Sequence, residues 1–414
     1  MTEHFCWKKA ENDTVRQNKG ETMRSPLTTL CYVEQDGKYL MLHRIKKKKD
    51  VNKDKWIGIG GHFEENESPE QCLLREAYEE TGLRLTSWKF RGIVTFAAEG
   101  WPTEYMCLYT ADGFERGTGR PSSCEAACVP EGAGSCLIPT EAERGADSKC
   151  PSSPDDTACG EEFVCNEGQL EWVPKEELTK LNLWEGDKIF LKLLAEDAPF
   201  FSLKLTYRGD TLTGAWLDGK EMELFDVCDE SGEVTGRITE RSVAHSAGVM
   251  HRTSHVWIVR EAEDGAYELL MQKRSSTKDS YPSCYDVSSA GHVTAGDSYL
   301  TAARRELEEE LGISAAEEDL ECIGRFDSGD ILNEFGGRRF HNREITSVYV
   351  YRQEIETEQL QLQKEEVESV KWMSLETVHQ AVADGDPAFC VLRKGLELLE
   401  EYLYGEAAKG MQKK

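Results

Sequence analysis

The stretch GHFEENESPEQCLLREAYEETGL, residues 61–83, returns at residues 291–313 as GHVTAGDSYLTAARRELEEELGI, displaced by 230 positions. The same displacement relates Arg44 to Arg274, His62 to His292, Arg75 to Arg305 and Gly82 to Gly312. Solenoid repeats recur every ~20–50 residues, so a repeat on this scale means two copies of one domain. A chain of 414 residues has room for both cores.

Each copy reads as a capped helix. Ser68 is a good N-cap, Pro69 fits the first helical position, and Gln71 completes a capping box. Gly82 supplies the stop. Leu73 with Ala77, and Leu74 with Tyr78, fall at helical spacing and are expected to face a core; Leu300, Ala303, Leu307 and Leu311 are the second stripe. Glu76, Glu79 and Glu80 stand at i, i+3 and i+4, as do Glu306, Glu309 and Glu310, so each trio shares one face. Arg75 can pair with Glu79, four residues on.

Three carboxylates on one face repel, each like-charge pair costing roughly 0.2–0.5 kcal/mol. A hard cation removes that cost, and Mg²⁺ or Mn²⁺ takes a few carboxylates together with waters and substrate phosphates. The trio therefore reads as a divalent-metal site that admits a phosphorylated ligand. The other reading, a solvated acidic face, is weakened because the same spacing occurs twice behind the same glycine.

Both stretches resemble the Nudix box, G-x5-E-x7-R-E-U-x-E-E-x-G-U, where U is bulky and apolar. The first copy fits at Gly61, Glu67, Arg75, Glu76, Glu79, Glu80, Gly82 and Leu83, with the small Ala77 at one U position. The second fits at Gly291, Arg305, Glu306, Leu307, Glu309, Glu310, Gly312 and Ile313, with Asp297 where the pattern has Glu. The resemblance implies hydrolysis of a diphosphate linked to another group, assisted by Mg²⁺ or Mn²⁺. It implies metal ligation by Glu76, Glu79, Glu80 and the Gly61 carbonyl, with Arg75 orienting a glutamate. It carries the same roles to Glu306, Glu309, Glu310, Gly291 and Arg305. Glu67 and Asp297 are further candidates at the pattern's first acidic position.

A net charge of −28 argues against a nucleic-acid polymer as partner. No apolar run approaches the ~20 residues of a membrane span, and the polar start shows no signal peptide. The fourteen cysteines, mostly scattered through apparent strands and helices, read as reduced thiols in a cytosol. A cytoplasmic location and small nucleotide or other diphosphate substrates are the corresponding expectations; oligomeric state is left open.

Along the chain, residues 1–24 are a polar segment. Leu27 to Tyr32 and Tyr39 to Leu42 predict a hairpin around Asp36-Gly37. Lys46 to Lys49 is a basic run that reads as a solvated loop or as a phosphate-steering patch. His62 is given no catalytic role. Strands are expected at 56–60, 88–96 and 104–110. Residues 112–165, rich in Gly, Pro, Ser, Glu and Cys, predict a disordered insert in which Cys124, Cys128, Cys136, Cys150, Cys159 and Cys165 match no C-x2-C zinc pattern; a redox or metal-binding lobe is the other reading. Gly82 to Trp172 spans 90 residues and Gly312 to Trp372 only 60, which supports an insertion.

Glu167, upstream of Trp172, is a candidate further ligand or general base by the same resemblance, with Glu171 behind it and Glu366, ahead of Trp372, as its counterpart. The first domain resembles MutT-type 8-oxo-dGTP diphosphatases. Trp184 and Asp187 match the positions of a base-stacking aromatic and an acid that reads the base edge, although Trp184 also reads as a core aromatic. Ile57 stands where animal members of that group place a base-reading Asn, so hydrogen-bond readout is absent there.

The second domain resembles the Nudix branch related to isopentenyl diphosphate isomerase, whose metal ligands are histidines and a glutamate. His245, His251, His292 and Glu344 fall at or near those positions. Ala290 replaces the isomerase's catalytic Cys, Asn342 replaces an acidic ligand, and the full acidic helix is retained, so a hydrolase on an isomerase-like frame is expected.

The expected architecture is α/β: two Nudix α/β/α sandwich domains, each a mixed β-sheet between helices. They are placed at 25–211 and 222–406, with a linker or last hairpin at 212–221 and a tail at 407–414. The first is expected to hydrolyse oxidised nucleoside triphosphates such as 8-oxo-dGTP to monophosphate and pyrophosphate, the second an unidentified diphosphate. Isomerase activity in the second domain, or one copy serving as a nucleotide-binding regulatory module, are the rival functions.

Overall fold

The computed structural model describes residues 26–46, 50–116 and 165–411. Its contacts separate two compact units, one of Met1–Trp184 with Leu194–Leu203, the other of Glu185–Leu193 with Lys204–Lys414.

The first unit runs β1 (Leu27–Gln35), β2 (Lys38–His43), β3 (Trp56–Ile57), α1 (Pro69–Thr81), β4 (Leu83–Ala98), β5 (Glu104–Arg116) and β6 (Gln169–Pro174). Asp36 and Gly37, at φ 51° and 74°, make the tight turn between β1 and β2. The sheet order is β3-β2-β1-β5-β4, with β6 on β2, and β1 lies parallel to β5 among antiparallel neighbours. Its core packs α1 residues Leu73 and Ala77 against Cys31, Val33, Leu40 and Leu42. Leu74 is a half-buried neighbour of that core and Tyr78 is half-buried too, so the stripe is narrower than its spacing implied.

Then come α2 (Glu185–Ala195), β7 (Phe201–Arg208), β8 (Thr211–Leu217) and β9 (Lys220–Glu221). Residues 212–221, expected as a linker or a last hairpin, lie in the antiparallel β8–β9 hairpin.

The second unit continues with β10 (Leu224–Cys228), β11 (Val234–Glu240), α3 (Arg241–Ala247), β12 (His251–Glu261), β13 (Tyr267–Arg274), β14 (Tyr285–Asp286), β15 (Ser289–His292) and α4 (Tyr299–Leu311). It ends with β16 (Leu320–Asp327), β17 (Ile331–Phe335), β18 (Arg338–Asn342), β19 (Glu344–Tyr351), β20 (Val367–Ser374), α5 (Leu375–Asp384) and α6 (Arg393–Met411). The mixed sheet β14-β13-β12-β19-β16 joins β12 parallel to β19. Alternation along β12 makes the sandwich: Val256 and Ile258 pack with Ala303 and Leu307 of α4, while Trp257 and Val259 pack with Leu396, Leu399 and Leu403 of α6. Mixed sheets flanked by helices are thus the fold of both copies.

Three expected boundaries move. β5 continues through Phe114 to Arg116, and Cys165 is buried with the first core, so residues 112–116 and Cys165 are not part of the insert. Apolar burial of Phe114 and Cys165 decides this, since composition alone cannot tell a polar strand end from a loop. The remaining insert cysteines, the segment 1–24 and Lys47–Lys49 lie outside the described residues. The helix α6 extends to Met411, beyond the expected start of the tail.

Candidate active sites

The two box helices are built alike. Ser68 caps α1 with a full capping box to Gln71, and Ser298 caps α4 through Thr301. Gly82 and Gly312 close them at φ 69° and 74°, in the left-handed region. Each helix then offers its acidic residues in the same way. Glu80 and Glu310 are buried at 7% and 5% exposure, and accept from the backbone N–H of Gly60 at 3.0 Å and of Ala290 at 3.3 Å. Glu79 and Glu309 are exposed.

Arg75 and Arg305 repeat three contacts. Each donates to the carbonyl of the following box histidine, His62 or His292, at 3.0 Å. Each pairs with Glu76 or Glu306 at 2.7 Å, and with Glu79 or Glu309 at 3.3 and 3.1 Å. The box glycines are required by proximity: a Cβ on Gly61 would lie 2.3 Å from Glu76 Oε1, and one on Gly291 2.0 Å from Glu306 Cδ. The Gly61 carbonyl already accepts from Thr29 N–H at 2.9 Å.

The copies differ at the first acidic position. Arg75 donates to both oxygens of Glu67, at 2.7 and 2.9 Å, and this holds the Glu67 carboxyl below the usual carboxylate range. Arg305 finds no such partner. Its Nε is buried without a hydrogen bond, and the residue at the Glu67 position is Asp297, one methylene shorter. Asp297 instead offers its backbone carbonyl to Arg252 at 3.0 Å.

The other first-unit candidates separate. Glu167 forms an ion pair with Arg44, which also holds Asp50 at 2.8 Å. Trp184 is 7% exposed, its indole N–H donates to Asn52 at 2.8 Å, Phe96 meets its edge, and Lys55 sits 4.8 Å over its ring. Ile57 packs against the core and His62 is exposed, while Asp187, which falls in the second unit, is 9% exposed.

The second unit gathers its candidates in one cavity of about 340 Å³. Glu306, Glu309 and Glu310 face into it, with Glu366, which pairs with Lys278. His245, His292 and Glu344 line it too. With buried His251 they form a cluster whose ligand atoms all lie within 4.8 Å of one another. Sheet register assembles it: His251 stands beside Glu344 across β12–β19, and His292 faces Thr253 across β12–β15. Phe225 stacks on His251 at 4.9 Å and His292 at 4.5 Å, and Phe340 on His245 at 4.9 Å.

These residues fit a cation. His251 Nδ1 donates to the Val249 carbonyl at 2.8 Å, its Nε2 lies 3.5 Å from Glu344 Oε1, and His245 Nε2, His251 Nε2 and Asn342 Oδ1 are buried without hydrogen bonds. Burial pushes the His245 imidazole down to about 2 and lowers His292, so both are neutral at pH 7. Burial opposes the Glu344 charge, but the adjacent His251 and His292 outweigh it, and the carboxyl ionises well below its usual range. Burial also raises Glu306 to about 7, and burial with the neighbouring Glu306 raises Glu310 to about 8. Negative charge is thus packed more densely than water alone would stabilise. Three imidazoles with one carboxylate suit a borderline transition ion, whereas the glutamate trio suits Mg²⁺ or Mn²⁺.

The NUDIX domain profile matches twice, over residues 24–131 and 251–391. The chain belongs to the Nudix family. Among curated Nudix relatives, Nudix hydrolase 3 of Arabidopsis thaliana is 41% identical over 169 residues, which are 40% of this chain and 21% of that protein. This chain therefore matches about a fifth of the length of that relative. An uncharacterized Nudix hydrolase of Clostridium acetobutylicum is 38% identical over 147 residues, 36% of this chain and 68% of its own. Among solved structures, a MutT protein from Bacillus halodurans shares 20% identity, covering 47% of this chain and 99% of that one, at a TM-score of 0.33. An Ap4A hydrolase from C. elegans shares 23%, covering 37% and 98%, at 0.27.

Sequence reasoning missed Asn52 as the partner of Trp184 and Arg44 as the partner of Glu167. The displacement of 230 residues had already flagged Arg44 with Arg274, and Arg274 pairs with Asp286 at 3.1 Å in the second cavity. No sequence signal marked Asn52.

Proposed function

We propose that both units are metal-dependent pyrophosphohydrolases. The observation that supports this best is the set of Arg, Gly and Glu contacts that the two acidic helices share. Glu76, Glu79 and Glu80, and Glu306, Glu309 and Glu310, would hold Mg²⁺ or Mn²⁺. A divalent ion there polarises phosphoryl oxygens and lowers the pKa of the attacking water. Arg75 and Arg305 hold Glu76 and Glu306 in place. The exposed Glu79 and Glu309, or Glu167 and Glu366, would take the water's proton.

In this reading the first unit cleaves nucleoside triphosphates to monophosphate and pyrophosphate, with 8-oxo-dGTP as its substrate. Base stacking on Trp184 requires Lys55 to leave the indole face. The second unit cleaves a different diphosphate, and His245, His251, His292 and Glu344 hold a second ion beside its acidic helix. Isopentenyl diphosphate isomerisation is disfavoured because Ala290 offers no proton donor. A purely regulatory role for either copy is disfavoured by the intact trios.

The test is pyrophosphate and phosphate release by the full chain with Mg²⁺, across nucleoside triphosphates, dinucleotides, nucleotide sugars and isopentenyl diphosphate. Glu80→Gln is expected to cut the first activity by at least the roughly 10–100-fold that follows loss of a supporting contact at a metal site, while nucleotide binding survives. Unchanged turnover in Glu80→Gln sinks the assignment. Double-bond migration in isopentenyl diphosphate would favour the isomerase.

A further inference from the structure

The β17–β18 hairpin stands outside the main sheet of the second unit, pairing within itself as a two-stranded ribbon. Its register sets Ile331 opposite Asn342, Asn333 opposite Phe340, and Phe335 opposite Arg338. Side chains alternate between the two faces of a strand. Ile331, Phe340 and Asn342 line the cavity, so theirs is the inner face. Arg338, two residues before Phe340, continues that row to the tip, where Gly336 and Gly337 turn at φ 57° and 75°. Arg339 falls on the outer face.

Contacts anchor the inner face over the cavity. Phe335 meets Tyr281 edge-on at 4.9 Å and Phe340 at 5.3 Å, and Asn333 Nδ2 donates to the Tyr281 hydroxyl at 2.5 Å. The Arg338 side chain is exposed and, among the described residues, makes no hydrogen bond or ion pair.

The charge balance gives that arginine its meaning. The basic side chains that line the cavity are already committed to carboxylates: Arg241 to Glu223 at 2.8 Å, Arg274 to Asp286 at 3.1 Å, Arg305 to Glu306 and Glu309, and Lys278 to Glu366. An anionic substrate approaching the acidic helix finds cations in the wall that are neutralised already. A guanidinium offers two parallel donors that match two phosphate oxygens.

We propose that Arg338 is a substrate-binding residue that grips a phosphate of the second unit's substrate at the cavity mouth. This rests on the reading of that cavity as a diphosphate site, and it selects anionic substrates without taking part in bond cleavage.

Calorimetric titration of the full chain with methylenediphosphonate and Mg²⁺ tests it, because this probe resists hydrolysis and should fill both units. Arg338→Ala is expected to weaken one of two binding events by roughly tenfold or more, the scale of a lost charge-assisted hydrogen bond. Arg338→Lys should restore part of the loss, and Arg339→Ala should leave both events unchanged. Melting temperature should not move in Arg338→Ala, since the exposed side chain makes no hydrogen bond or ion pair among the described residues. Wild-type affinity in Arg338→Ala, an equal loss in Arg339→Ala, or a single binding event in the wild type overturns the proposal. Turnover is read separately, in a chain already carrying Glu80→Gln. Hydrolysis that persists there after Glu306→Gln would sink the hydrolase reading of the second unit while leaving the binding result standing.

Discussion

Arg75 and Arg305 share three contacts and differ in the fourth, and that difference yields a prediction. Arg305 Nε is buried and unpartnered where Arg75 Nε has Glu67 at 2.7 Å. Asp297→Glu restores the missing methylene, so the second unit should gain roughly 1 kcal/mol in urea denaturation, the net worth of a charged hydrogen bond less side-chain ordering. No gain would mean that the longer carboxylate goes elsewhere. Gly61 supplies a second test. A methyl group there would strike the Glu76 carboxylate at 2.3 Å, so Gly61→Ala should lower first-unit turnover by roughly 10–100-fold with little change in circular dichroism. Full activity would show that Glu76 can shift without consequence. Both features trace to a single carbon atom, and the spacing of the box announced the residues without announcing that carbon's neighbours.

At the scale of the element, the box helices carry their own start and stop signals. Ser68→Ala removes both the N-cap acceptor and the capping box, and should cost ~1 kcal/mol of stability by denaturation. Gly82→Ala forces a Cβ into φ 69° and should cost roughly 1–2 kcal/mol. These boundaries were legible because caps act within four residues. The strands were less so. Composition placed the insert from 112 to 165, yet β5 reaches Arg116 and Cys165 is core, since pairing with β4 decides where a strand stops. The β17–β18 hairpin lacked a clear pattern in the sequence, because its inner face is defined only by the cavity beneath it.

At the scale of the whole molecule, metal and pH are coupled. Glu306 and Glu310 have folded values of about 7 and 8 against an ordinary 4.5, so the folded chain binds their protons more tightly than the unfolded one. Their contribution to stability is complete below about 4.5 and is lost as pH rises through 7 and 8. His245 acts in the opposite direction, but only below its ordinary 6.5. In chelator, the second unit should therefore melt lower at pH 9 than at pH 7, and added Mg²⁺ should raise it more at pH 9. Calorimetric melting at the two pH values checks both signs, and a flat or rising profile would refute them. Among the described residues no helix is long and apolar enough to cross a membrane, and the eight described cysteines are free thiols.

The duplication, the acidic faces, the caps and the two-domain plan follow from the sequence by itself, because helical periodicity and capping are local. Resemblance alone set His245, His251, His292 and Glu344 at ligand positions. Only the tertiary structure brings their ring nitrogens and carboxylate within 4.8 Å, since β12, β15 and β19 meet through sheet register and α3 packs beside β18. The same distinction explains Trp184, whose exposure depends on Asn52 and Lys55, more than a hundred residues away in sequence. It also explains Arg338, whose place on the inner row is a matter of which face of the hairpin meets the cavity.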